Sequence, residues 1–198
     1  MISSPVPTRA EVSDVATAVF DGADAVMLSA ESAIGQFPTE AIQMMDRIAI
    51  EVESDPTYDA IIHATQTTPQ PTGADAIAAA AHAIADTVKL SAIVCYTSSG
   101  ATALRVARER PSAPLVVFSP VRATARRLAL AWGLHCVVSP DPRDVDDMAD
   151  RACSVAYQEK FSRPGQRLIT LAGIPFGTPG ATNLLRVAYV NDDGRGGT

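Results

Sequence analysis

The chain has 198 residues, of which 47% are hydrophobic, 5% aromatic and 19% charged, with a formal net charge of −6. Such a composition buries an aliphatic core and excludes a disordered chain. The acidic balance, without a basic stripe, argues against nucleic acid as a partner, and no apolar run reaches the ~18 residues of a membrane span.

In chain order, Thr8-x-x-Glu11 has the spacing of a capping box, and Val12, Val15, Ala16 and Val19 follow at helical spacing. Gly22 is a helix stop. Ala25 to Leu28 is a short, all-apolar run, predicted as a strand buried on both faces. Pro38 and Thr39 open a second helix with an apolar stripe of Ile42, Met45, Ile48, Ala49 and Val52. Residues 1–54 therefore read as helix, strand, helix. Residues 55–73 are rich in Pro, Thr and Gln and lack periodicity, which predicts a linker.

From Ala74 the pattern is regular. An Ala-rich helix over 74–89 precedes a strand over 91–96, a polar turn over 97–100 and a helix over 101–108. A strand over 114–118, a helix over 123–132, a strand over 136–139 and a helix over 145–159 follow. Strands over 167–172 and 184–190 flank a Gly/Pro-rich loop over 173–182. Alternation with short connections predicts an α/β fold, a mostly parallel sheet with helices on both faces. With no helix between them, the last two strands are expected to pair antiparallel. Residues 74–192 form this α/β domain, and the Gly/Asp-rich tail over 193–198 is predicted to be disordered.

Cys95, Cys136 and Cys153 are far apart and include no Cys-x-x-Cys, so they read as buried, reduced thiols. His63, His82 and His135 lack ligand spacing, and no metal site is expected. The N-terminal Met-Ile-Ser-Ser-Pro lacks the layout of a signal peptide, which predicts a cytoplasmic protein. Arg105, Arg108 and Arg110, interleaved with Glu109, read as a solvated face.

The turn Thr97-Ser98-Ser99-Gly100-Ala101-Thr102 lies between a predicted strand and a predicted helix. It offers free backbone N–H groups, hydroxyls and the positive end of a helix dipole, and these suit a phosphate. The same residues also make an ordinary N-cap.

Three blocks together resemble the C-terminal part of pyruvate kinase. They are Thr8-Arg9-Ala10-Glu11 with Asp21-Gly22-Ala23-Asp24-Ala25-Val26-Met27-Leu28-Ser29, then Thr97-Ser98-Ser99-Gly100 with Arg110-Pro111-x-Ala113-Pro114, and finally Pro179-Gly180-Ala181-Thr182-Asn183. The resemblance implies that residues 1–54 are the last helix-strand-helix portion of a (β/α)8 catalytic barrel, and that 74–192 are a regulatory domain also used for subunit contact.

The resemblance further implies transfer of phosphate from phosphoenolpyruvate to ADP in the complete enzyme, with magnesium and potassium. Ser32 matches a substrate-side hydroxyl that is Thr in many members, and Glu31 precedes it. Ala30 and Ile34 depart from the Gly and Lys common at those places. The metal-binding acid pair and the catalytic Lys of the family's earlier strands have no counterpart in the chain. A barrel needs roughly 250 residues. The chain alone is therefore expected to be inactive and to hold no cofactor.

By the same resemblance, Thr97, Ser98, Ser99, Gly100 and Thr102 cradle a phosphate of a small phosphorylated effector, and Pro175, Gly177, Gly180 and Thr182 belong to a loop closing over it. The basic residue that meets a second phosphate in some relatives falls near Met148, so a monophosphate is expected rather than a bisphosphate. Partners implied are a homo-oligomer through the last strand and a separate chain carrying the missing barrel. The alternatives are a stand-alone sugar-phosphate or nucleotide sensor, and a purely structural interaction domain.

Overall fold

The computed structural model describes residues 1–65, 68–178 and 182–197. The chain divides into two units, Met1–Gln66 and Thr67–Thr198, each with its own core.

In the first unit, α1 (Arg9–Phe20) starts at the expected capping box. The Thr8 Oγ1 accepts from the Glu11 N–H at 3.2 Å, and the Thr8 N–H donates to Glu11 Oε2 at 2.7 Å. A single turn, α2 (Ala30–Ala33), precedes α3 (Pro38–Glu53), which opens on proline at N1 where its missing N–H costs nothing. The stretch expected as a linker instead contains α4 (Tyr58–Thr65). Tyr58 and Ile62 are buried with Val19 and Val52, and Phe20 and Tyr58 meet with ring centroids 6.1 Å apart. Two apolar anchors one turn apart were enough to dock a short helix, although the flanking prolines and threonines hid it.

Ala25–Leu28, predicted as a strand, forms no ladder. An all-apolar run can become a buried parallel strand only between two neighbours that accept and donate its hydrogen bonds. The described residues of this unit contain no other strand. Met27 stands 87% exposed and Ile34 79% exposed, so residues with the character of a core face solvent.

In the second unit, α5 (Gly73–Val88), β1 (Ala92–Tyr96), α6 (Ala101–Arg108), β2 (Leu115–Ser119), α7 (Arg122–Leu128), β3 (Leu134–Val138), α8 (Val145–Gln158), β4 (Arg167–Ala172), β5 (Leu184–Val190) and β6 (Gly196–Gly197) follow one another. The sheet order is β3-β2-β1-β4-β5-β6. The first four are mutually parallel, and β5 and β6 are antiparallel additions.

Every residue of β1 and β2 is buried, which is why their sequences are continuous apolar runs rather than alternating ones. Ile93, Cys95, Leu115 and Val117 face one core with Ala81, Ala85, Ala103 and Val106 of α5 and α6. Val94, Tyr96, Val116 and Phe118 face the other with Met148, Ala152 and Ala156 of α8. Tyr96 stacks on Phe118 at a centroid distance of 4.8 Å, and its hydroxyl donates to the Met148 carbonyl at 2.8 Å. Burying a side chain of this size contributes about 1.5–3 kcal/mol.

Two further expectations are corrected here. The tail is ordered as far as it is described: Gly196–Gly197 pairs with Tyr189 and Val190, and the Gly196 N–H donates to Asp150 Oδ1 at 3.2 Å. Strand 184–190 is consequently not the outermost strand along its whole length. The helix expected over 123–132 ends at Leu128, and residues 129–133 form turns in which Gly133 takes φ +67°.

Candidate phosphate groove

The chain passes from β1 through α6 to β2 on one side, and later returns through α8 to β4 on the other side of β1. The sheet's winding therefore reverses between β1 and β4. At such a point the loops leaving the C-terminal ends of two neighbouring strands diverge and open a crevice. Here those loops are 97–100 and 173–182. The groove between them is lined by Thr97, Ser98, Ser99, Ala101, Thr102 and Arg105 on one side and by Gly173, Phe176, Gly177, Thr178 and Thr182 on the other.

The first loop is braced from outside. Thr124 Oγ1 donates to the Ser98 carbonyl at 2.9 Å, and Arg127 donates to the Ser99 carbonyl at 2.8 Å. Both carbonyls are thereby tied to α7. The Gly100 N–H donates to Thr97 Oγ1 at 2.9 Å, and the Ala101 N–H reaches Ser99 Oγ at 3.4 Å. Gly100 is the N-cap of α6 with φ +95°, and a Cβ there would lie 3.0 Å from Leu128 Cδ2. The positive φ favours glycine at this position, and a Cβ would press on the buried Leu128 side chain. The helix it opens has first-turn amides without intrahelical acceptors, the ordinary setting for an anion.

The second loop is closed on itself. The Asn183 side chain accepts from the Ile174 N–H and donates to the Ile174 carbonyl, both at 2.7 Å. The start of α6 is joined to the second loop by Thr102 and Thr182, whose hydroxyl oxygens lie 2.6 Å apart.

Charge enters from the side of α6. Asp75, buried at the start of α5, accepts from Arg105 Nε at 2.9 Å and from an Arg108 terminal nitrogen at 3.1 Å. Arg108 also contacts buried Glu109 at 2.7 Å. The Gln70 N–H, and after it the Arg108 and Arg105 guanidiniums, hold the Asp75 carboxyl below the usual aspartate range against the opposing effect of burial. Arg105 and Arg108 are therefore not part of a solvated face. Arg110 lies over the Trp132 ring, 4.5 Å from its centroid. On the far wall Asp141 contributes a carboxylate, 3.8 Å from where a Gly177 Cβ would stand.

Of the sequence-predicted residues, Thr97, Ser98, Ser99, Thr102, Gly177 and Thr182 line the one groove and Gly100 shapes it. Pro175 lies in the second loop, where its carbonyl accepts from the Thr178 N–H at 3.4 Å. Gly180 lies outside the described residues. Met148 is fully buried in the core beneath α8 and cannot mark a second phosphate position. Arg105, Arg127 and Asp141 were missed, because only the strand order and the packing of α5, α6 and α7 bring them to this loop. The Asp75/Arg105/Arg108 arrangement had a signal, a capping-type Asp after Thr72 facing Arg residues at helical spacing, but no pattern linked the two helices.

Ser32 and Glu31 belong to the first unit. Glu31 Oε2 accepts from the Ser29 N–H at 3.0 Å, and backbone N–H groups at the start of α2 lower its carboxyl below the usual range. Ser32 Oγ donates to the Ser29 carbonyl at 3.3 Å. Both side chains bond the backbone of Ser29 at the start of α2. Among the described residues no three His, Cys, Asp or Glu side chains converge. No described helix is long and apolar enough to cross a membrane.

Residues 75–188 match the model of the pyruvate kinase alpha/beta domain, and residues 1–42 match that of the pyruvate kinase barrel domain. A pyruvate kinase from Methylorubrum extorquens is 58% identical over 190 residues, which cover 96% of this chain and 40% of that protein. One from Agrobacterium vitis is 44% identical, covering 94% of this chain and 40% of that protein. A crystal structure of a pyruvate kinase from Cryptosporidium parvum superposes with a TM-score of 0.85 at 32% identity, over 95% of this chain and 37% of that one. The chain spans between about a third and 40% of the length of the curated relatives it matches. With the alpha/beta domain matched over more than half its residues and part of the barrel ahead of it, the chain belongs to the pyruvate kinase family and corresponds to its C-terminal part.

Proposed function

We propose that the second unit is an effector-binding and subunit-contact domain of a phosphoenolpyruvate-to-ADP phosphotransferase, and that this chain by itself does not transfer phosphate. The observation that carries the reading is the Thr97–Gly100 loop at the reversal of the sheet, closed on the other side by the loop that ends in Thr182. Its hydroxyls and its place at the start of α6 match the needs of a phosphomonoester.

Phosphoryl transfer depends on positioning and charge neutralisation across a complete site. Only residues 1–42 match the family's barrel domain, so the catalytic groups, magnesium and potassium belong to the remainder of a complete enzyme in the cytoplasm, supplied by the same gene or by a separate chain.

The effector is a monophosphate whose remainder carries hydroxyl or amino donors. Asp141 on the far wall accepts such donors and repels a second phosphate. Assembly into homo-oligomers runs through β5: β6 covers only Tyr189 and Val190, and Val187 and Tyr189 remain 40% and 39% exposed.

The reading is tested by thermal melting of the chain with sugar monophosphates, fructose bisphosphate, AMP and phosphoenolpyruvate, alongside an assay of pyruvate formation. A ligand bound only by the folded state raises the melting point by mass action. A rise with a monophosphate, abolished by Ser99→Asp, and no pyruvate formation are the expected results. A flat panel, or turnover at an ordinary enzymatic rate, would refute the corresponding half.

A further inference from the structure

Two arginines of α6 share the buried Asp75 carboxylate, yet they are not equivalent. Arg108 is committed to two carboxylates, Asp75 and Glu109. Arg105 gives only its Nε to Asp75, and among the described residues its terminal nitrogens have no protein partner. Arg105 is also the one cation lining the groove among the described residues, and its side chain remains 35% exposed.

Asp75 does not cancel that charge. It accepts from the Gln70 N–H at 3.0 Å and from Arg108, and it sits in the first turn of α5, where the helix dipole already offsets a negative charge. A guanidinium tethered through Nε has already lost much of its side-chain freedom, so little more is lost when its terminal nitrogens grip an anion.

We propose that Arg105 is the cation of the effector groove, with Asp75 as its positioning residue, so that phosphate binding is coupled to the start of α5. The inference rests on the reading of the groove as a phosphomonoester site. It also explains how a loop without Lys or Arg can hold a phosphate: the charge comes from the following helix, one turn beyond the hydroxyls.

The test is calorimetric titration of the full chain with ribose phosphate, glucose phosphate and AMP as separate probes. Arg105→Gln is expected to weaken the Kd of the bound probe roughly tenfold and to reduce its dependence on salt, as for loss of one charge-assisted hydrogen bond. Arg163→Gln, which removes the same charge near the opposite end of β4, leaves the Kd unchanged. Asp75→Asn weakens binding several-fold in the wild-type background and has no further effect in Arg105→Gln, whereas a purely structural role would act equally in both. If Arg105→Gln does not melt cooperatively, Arg105→Lys keeps the charge, breaks the fork and carries the same test.

Binding abolished by Ser99→Asp but untouched at Arg105 would overturn this inference and leave the phosphate site standing. Equal effects of Asp75→Asn in the two backgrounds would overturn the positioning role. Absence of binding by any probe to the wild-type chain would overturn the site reading itself and the inference with it.

Discussion

Thr102 and Thr182, eighty positions apart, meet hydroxyl to hydroxyl at 2.6 Å in a buried contact that fastens the start of α6 to the loop leading into β5. Both walls of the groove converge on this one bond. Replacing either residue by Val leaves the other hydroxyl buried and unpaired, at a cost of about 1–3 kcal/mol, whereas replacing both removes the need along with the bond. Urea unfolding should therefore show the double variant less destabilised than the sum of the singles. Strict additivity would mean that the two hydroxyls do not depend on each other.

Gly100 makes a second test of the groove. With φ at +95° and Leu128 at 3.0 Å from any added Cβ, Gly100→Ala should cost about 1–3 kcal/mol from backbone strain. It should also displace the amides at the start of α6 and weaken phosphomonoester binding. Denaturation midpoints and titration calorimetry read the two effects separately, and an unshifted midpoint would contradict the strain.

Acid should loosen the second unit. Asp75 is held below its ordinary range by the Gln70 N–H, Arg108 and Arg105, and Asp147 by the Arg143 N–H followed by the Arg143 and Arg151 side chains. The unfolded chain then binds protons at a pH where these folded carboxylates do not. Their contribution is fully present above the unfolded aspartate range near pH ~4 and is lost as pH falls through the folded values. Melting temperatures measured downward from pH ~6 should fall, and more shallowly for Asp75→Asn than for the wild-type chain. Parallel curves would show that Asp75 does not titrate differently on folding.

Alkali acts on the thiols in the opposite sense. Burial pushes Cys95 up to about 12 and Cys153 up to about 11, and it also raises half-buried Cys136. These folded thiols stay protonated while the unfolded ones ionise, so the stability they contribute is full below the ordinary thiol range near pH ~8.5. It declines as pH rises above that range toward the folded values. An aromatic disulfide reagent at pH ~8 should label Cys136 first and reach Cys95 and Cys153 only on unfolding. Rapid labelling of all three in the native chain would contradict the burial.

The α/β architecture was legible because its signals are local. Continuous apolar runs such as Leu115 to Phe118 can satisfy both faces only inside a sheet, and the spacing in Val145–Gln158 leaves one apolar stripe. The same local signals failed where a partner decides the outcome. Ala25–Leu28 has the composition of a strand and, among the described residues, no strand beside it, and Tyr58 and Ile62 become a helix only because a small core receives them.

The candidate site divides along the same line. The hydroxyl-rich turn and its glycine are contiguous, so their affinity for phosphate could be read from the order of residues alone. Its charge could not. Arg105, Asp75 and Asp141 are distant in sequence and meet only through strand order, helix packing and the reversal of winding between β1 and β4. Local sequence determined which elements form and which turn can hold an anion, since backbone geometry and periodicity act over a few residues. Tertiary structure alone decided where the groove opens and which cation reaches it, since both depend on how distant segments are brought side by side.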